Sequence, residues 1–271
     1  MRLLIHIGAV VFLTLLTQVG GLAWIGTAVM ARRLANRRLV ILGVFGAIYA
    51  GLSLAAATAA PVFGRVALPC LATGQSTLAM QSPLYCVLNR HYVSKPMYDT
   101  ANKLAADMNR QFPGTLTQAL DGSFPFLDGF PLLPHLSHND GNKLDIAFYY
   151  GDPSTQKYIR GKTRSPIGYW GFERPERGAD LPCEGRRDIL TGRWDMSWFQ
   201  IFNSVVVLDR PRTRAALEWL TAPDGGRKAG VTKIFIEPHL ANSLGVKDDI
   251  LRFQGCRAAR HDDHIHSQVK K

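Results

Sequence analysis

Five of the chain's eight histidines fall in two short stretches. Residues 134–145 read Pro-His-Leu-Ser-His-Asn-Asp-Gly-Asn-Lys-Leu-Asp, and residues 261–266 read His-Asp-Asp-His-Ile-His. Imidazole nitrogen and carboxylate oxygen are donors that zinc takes. His138 ends a loop, and Asp145 follows on a predicted strand, with Asn139, Asp140, Gly141 and Asn142 as the turn between them. His264 and His266 stand two apart on a second predicted strand, and period two puts both rings on one face. Two His and one Asp from this group give three ligands. The fourth position is then left for water, which separates a catalytic zinc site from a structural one. His135 reads as a loop residue rather than a further ligand. Asp262 and Asp263 read as groups that fix histidine tautomers. His91 and His239 receive no role, and Glu237, before Pro238, reads as a solvent-facing strand end.

The elements that would carry these groups can be sketched from pattern. Pro96 suits a first helical turn, and Met97, Ala101, Leu104, Ala105 and Met108 follow one helical face, so 96–111 is an expected helix. Residues 112–134 are rich in Gly, Pro, Phe and Asp. Lys143 to Tyr150 alternates and is an expected strand, with Leu144, Ile146 and Phe148 on one face. Residues 151–195 form a long polar excursion, with Tyr169, Trp170, Trp194 and Trp198 in or beside it, lining a groove or filling the core. Residues 199–208 are strand or helix, undecided by periodicity. A helix is expected from Pro211 to Leu220, a strand from Val231 to Ile236, a short helix from Lys247 to Phe253, and a last strand from His264 to Val269. The fold class is α+β: a small antiparallel sheet with packed helices, preceded by two transmembrane helices.

That preceding segment is set by charge and hydropathy. No charged residue occurs from Leu3 to Met30 or from Leu39 to Ala60, and each run exceeds the ~20 apolar residues that cross a bilayer core. Arg32, Arg33, Arg37 and Arg38 lie between the runs and mark a cytoplasmic loop. This gives a two-span anchor at 1–60, a linker and entry segment at 61–95 rich in breakers, and an exported domain at 96–271. Alternatives are two buried core helices, or a signal peptide from Arg37 to Ala60. The expected location is the inner, cytoplasmic membrane, with the N-terminus and the C-terminal domain on the extracytoplasmic side. Cys70, Cys86, Cys183 and Cys256 all fall in the exported part and read as two disulfides, with three connectivities open. Cys70 with Cys86 closes a short loop. The formal net charge is +11. The exported part keeps a mild basic excess, which suits an anionic partner or simple solubility. No run of Lys and Arg with interleaved aromatics points to nucleic acid.

The order His-x6-Asp and then, far downstream, His-x-His resembles the zinc peptidases of the lysostaphin, D-alanyl-D-alanine and murein endopeptidase group, whose site the hedgehog domain shares. The likeness is nearest to penicillin-insensitive murein endopeptidases. Ser137-His138-Asn139-Asp140-Gly141 and His261-Asp262-Asp263-His264-Ile265-His266 stand where that family has Ser-His-x-x-Gly and His-Asp-Asp-His-aromatic-His. The resemblance implies zinc held by His138, Asp145 and His266, with His264 and His261 in proton transfer. It implies hydrolysis of peptide bonds in peptidoglycan or its peptides, by an endopeptidase or carboxypeptidase. It also allows a non-catalytic, zinc-containing module tethered to the membrane that binds cell wall or another ligand. Ile265 replaces the family's aromatic residue, Ser267-Gln268 replaces Val-Arg, and the acidic base of some relatives is absent, with His261 near its place.

Overall fold

The structure is a computed structural model that describes residues 2–31, 38–179, 181–185, 193, 194 and 196–271. Arg32, Arg33 and Arg37 of the expected cytoplasmic loop lie outside the described residues.

The first apolar run is not one long helix. It divides into α1 (Arg2–Thr17) and α2 (Gly20–Ala31). Gln18 between them takes a positive φ of 67°, and the Thr17 hydroxyl accepts from the Gly20 N–H at 2.9 Å, satisfying the new helix's first turn. Glycine then lets the two helices close on each other. A Cβ on Gly21 would stand 2.7 Å from the Val10 carbonyl oxygen. At about 1.5 Å per residue, helices of 16 and 12 residues measure about 24 and 18 Å, short of an approximately 30 Å hydrocarbon core. Only α3 (Arg38–Ala59), continued by a 3-10 turn at Ala60–Phe63, is long and apolar enough to cross a membrane among the described residues. It runs over 26 residues at mean hydropathy 2.2. Where a pair of spans was expected, the described residues give one candidate span and a hairpin of two shorter apolar helices beside it. The hairpin also returns the chain, so that the start of α1 lies at the same end of the bundle as Ala31 and Arg38.

The rest of the chain is built on a six-stranded sheet. Its parts are β1 (Arg65–Ala67), β2 (Leu78–Met80), α4 (Pro83–Val87), β3 (Tyr92–Ser94), α5 (Lys95–Gln111), β4 (Thr117–Ala119), β5 (Lys143–Ala147), β6 (Tyr150–Gly151), β7 (Val207–Leu208), α6 (Arg210–Thr221), β8 (Val231–Phe235), α7 (Pro238–Leu244), β9 (Leu251–Arg252) and β10 (His264–Val269). The main sheet runs β2-β4-β5-β10-β8-β9. It is mixed rather than purely antiparallel, because both edge pairs, β2 with β4 and β8 with β9, are parallel. Residues 61–95, expected as linker and entry, contain β1, the edge strand β2, α4 and β3. The disulfides join Cys70 to Cys86 and Cys183 to Cys256.

Helix α5 starts where Ser94 caps Met97 N–H and Pro96 sits in the first turn. Met97, Ala101, Leu104, Ala105 and Met108 are buried as the spacing predicts, and join Leu144, Ile146 and Ile265 in one core. Each such large side chain contributes roughly 1.5–3 kcal/mol by leaving water. The expected helix at 247–253 is not there. Gly245, at φ 70°, closes α7 instead, and Leu251–Arg252 pairs with β8. The undecided stretch 199–208 is both a 3-10 turn (Ser197–Phe202) and strand β7.

Candidate metal centre

Strands β5 and β10 are the middle of the sheet, and their register decides the site. His266 lies directly opposite Asp145, and His264 opposite Ala147. Opposed residues share a face, so Asp145 and His266 meet side chain to side chain, with His264 one step along. Ile265 and Ile146 point to the other face and into the core. His138 arrives from the preceding loop. The turn that carries it back to β5 needs Gly141 at φ 74°, where other residues are strained.

The three groups close a small triangle. His138 Nε2 is 3.1 Å from His266 Nδ1, His266 Nδ1 is 2.7 Å from Asp145 Oδ1, and His138 Nε2 is 3.3 Å from Asp145 Oδ1. All three residues are buried. Zinc bonds of about 2.0–2.1 Å in a tetrahedron separate their ligands by about 3.3 Å, so this donor set fits the ion with small movements. The outer atoms are also engaged. His138 Nδ1 donates to the Gly122 carbonyl at 3.0 Å, which leaves Nε2 as the free donor atom. Asp145 Oδ2 accepts from the Tyr169 hydroxyl at 2.6 Å. The Gln268 Nε2 stands 2.9 Å from His266 Nε2, and turning that amide over puts its oxygen where it accepts the Nε2 proton when Nδ1 binds metal.

Charge in this space is strongly sorted. Burial alone would raise the Asp145 carboxyl, yet His138, His264 and His266 hold it well below the ordinary value. Burial opposes a proton on His264, but Asp145 and Asp263 raise it to about 9. Asp263 accepts from His264 Nδ1 at 2.5 Å. Burial takes His266 down to about 4, despite Asp145. It also takes His261 well below its usual range, helped by its two histidine neighbours.

His264 Nε2 stops 3.6 Å from Asp145 Oδ1, outside the triangle. The His261 ring lies 4.9 Å from that of His264, and its Nδ1 is buried with no hydrogen-bond partner among the described residues. His135 is not idle loop. It bonds Asp121 Oδ2 at 2.8 Å, and Asp121 is clasped by Arg90 at 2.6 and 2.7 Å. Asp262 pairs with Arg260 rather than with a histidine. Glu237 is fully buried, not solvent-facing; it holds Arg193 at 2.9 and 3.0 Å and accepts from the His261 N–H. His239 bonds the Glu173 carbonyl, and His91 is not among the residues that line the cavity over the triangle.

A cavity of about 580 Å³ opens above the triangle. His135, His138, Asp145, His261, His264 and His266 form its floor, and Leu133, Leu136, Trp170, Trp194 and Arg257 stand in its walls. Arg257 is exposed there, while Arg193 and Arg260 are taken up by Glu237 and Asp262. Sequence reasoning missed Asp121, Arg90, Tyr169 and Arg257 as site residues. Only Tyr169 carried a signal, as an aromatic in the polar excursion. No protein-family model matches the chain, and no curated protein matches it.

Proposed function

We propose that this protein is a membrane-tethered zinc peptidase that hydrolyses peptide bonds of peptidoglycan, as endopeptidase or carboxypeptidase, on the outer side of the cytoplasmic membrane. The observation that carries it is the buried triangle of two imidazoles and one carboxylate at the floor of an open cavity. The likeness of its two motifs to murein endopeptidases supplies the substrate class. α3 supplies the tether, and two disulfides suit an oxidising compartment.

His138, Asp145 and His266 would hold the ion. Zinc so held would polarise a carbonyl and bring the pKa of its water to about 7. The chain's own groups do the rest. Water adds to the amide carbon, the C–N bond breaks, and a proton passes to the leaving nitrogen. His264 is the group for that delivery, since Asp263 fixes its Nδ1 and its Nε2 faces the Asp145 corner. His261, with a free Nδ1 on the same floor, is the group that accepts a proton. Arg257 offers positive charge to the developing oxyanion or to a substrate carboxylate. Trp170 and Trp194 flank the peptide. The test is digestion of cross-linked muropeptides by the purified full chain in detergent. Cleavage that a chelator abolishes and zinc restores is expected. No cleavage with zinc bound would leave a binding module instead.

A further inference from the structure

The loop that supplies two leucines to the cavity wall starts at Phe126, which touches the hairpin and the end of the candidate span. We propose that the cleft opens onto the bilayer surface and takes a substrate anchored in lipid, which slides in along Leu127, Leu133 and Leu136. This rests on the tethered-peptidase reading and narrows its substrate.

The first observation is depth. The globular domain meets α3 well below its outer end as well as at it. Asn89 Nδ2 donates to Tyr49 Oη at 3.2 Å, to Ser53 Oγ at 3.2 Å and to the Thr17 carbonyl at 3.4 Å, and the Tyr49 hydroxyl donates to the Val87 carbonyl. Counted from Arg38 at about 1.5 Å per residue, Tyr49 and Ser53 stand about 17 and 23 Å up the helix. A hydrocarbon core is about 30 Å thick. A slab that begins at Arg38 therefore reaches past the contact, and the face of the domain around α4 sinks into its outer boundary. The hairpin α1–α2 agrees, since its length ends at the same height against Asn89 and Phe126. Exposure agrees too. Leu54 and Val62 on the outer stretch of α3, and Leu84 and Val87 on α4, are all exposed.

The second observation is continuity. Phe126 N–H donates to Gln18 Oε1 at 3.1 Å, and its ring packs 5.0 Å from Phe63 at the end of the span. From there the chain runs through Leu127, 61% exposed, to Leu133 at 49% and Leu136 at 56%. Gly129 N–H bonds the Asn139 carbonyl at 2.8 Å, which ties this loop to the turn beside His138. Leu133 and Leu136 are walls of the cavity. Exposed leucines scattered singly need no explanation. These lie in one loop that starts at the membrane helices and ends at the metal triangle. Gln254 and Arg257 complete the same cavity with polar groups. An apolar flank and an exposed arginine in one cleft match an amphiphile with an anionic or peptide head.

The test uses the full chain in nanodiscs of phosphatidylethanolamine and phosphatidylglycerol that contain nitroxide-labelled lipid. The described native cysteines are all in disulfides, so one added cysteine takes an environment-sensitive fluorophore selectively. Labels on Leu127→Cys, Leu133→Cys and Leu136→Cys should be quenched about as strongly as one on Val62→Cys, and at least three-fold more than one on Arg110→Cys at the far end of α5. Quenching at Val62 without quenching at the three leucines would overturn the proposal and leave the tether standing. No quenching at Val62 would remove both. A stem peptide carried on a lipid anchor in the same discs should then show at least ten-fold higher kcat/KM than the free stem. Equal values would overturn the lipid-anchored substrate. Turnover of neither would remove the peptidase reading, and the quenching would still decide the membrane-facing wall.

Discussion

The floor and the roof of the cleft are held together in opposite ways. At the centre of the floor are two paired strands, whose register sets Asp145 against His266, while His138 comes in from the loop before them. The roof, from Arg164 to Phe202, has little regular structure among its described residues. Long-range ties fix it: the Cys183–Cys256 disulfide, Glu237 on Arg193, the Trp170 N–H on the Asp263 carboxylate, and the bond from Glu173 N–H to the Asp262 carbonyl. A ladder gives positional precision to the donors. Staples give a wall that can tolerate change in sequence and shape. Chemistry is thus assigned to the floor and enclosure to the roof, and each assignment has its own way of failing.

The sharpest break is at the floor. His138→Ala, Asp145→Ala and His266→Ala should each lose most of their zinc by metal analysis after dialysis, and with it all measurable turnover. Full zinc retention in all three would remove this ligand set. Next in size is proton transfer. His264→Ala and His261→Ala should keep near-normal zinc, and at least one should lose ~10²–10⁴ in turnover of a cross-linked muropeptide. Zinc loss in His264→Ala equal to that in His266→Ala would make His264 a ligand. The roof should behave differently. Cys183→Ser with Cys256→Ser should cost about 2–4 kcal/mol of stability, read as a lower thermal midpoint, while zinc content stays. Zinc lost in step with that disulfide would mean that roof and floor are one unit.

The same contrast explains what the sequence could reveal. The strand His264 to Val269 was legible because a strand's period of two ties spacing to direction, while the choice of His138, Asp145 and His266 came from the resemblance of the two motifs and His138 stands on a loop that has no period. The helices α5 and α6 were legible from apolar period and caps. The hairpin α1–α2 was not, since hydropathy counts apolar residues and is blind to a Gln18 turn stabilised by tight contact at Gly21. The parallel edges β2 and β9 were invisible for a related reason: two or three residues carry no period, and their partners are distant in sequence. Glu237 was misplaced because its partner, Arg193, can be paired with it only once the chain has folded. Asp121 and Arg90 were missed likewise.

The smallest expected effect tests whether burial of a histidine is enough to make a site. His264 and His91 are both buried, at 2% and 7% exposure. His264 has Asp145 and Asp263 beside it and is raised to about 9; His91 has no carboxylate beside it, and burial lowers it to about 4. Its Nδ1 also has no hydrogen-bond partner among the described residues. Unfolded, His91 takes a proton near pH 6.5; folded, it refuses one until about pH 4. Between those values the unfolded chain binds more protons, so stability is present above about 6.5 and falls as pH drops toward 4. At pH 5 the loss from this residue is about 2 kcal/mol. His91→Gln should therefore shrink the drop in thermal midpoint between pH 7 and pH 5. The comparison belongs on chelator-treated protein in detergent, where competition between protons and zinc does not enter and the titration of His266 is common to both chains. An identical drop in both would mean that His91 is charged in the fold, and that a partner for it has to be sought in the loop around Cys70 and Cys86.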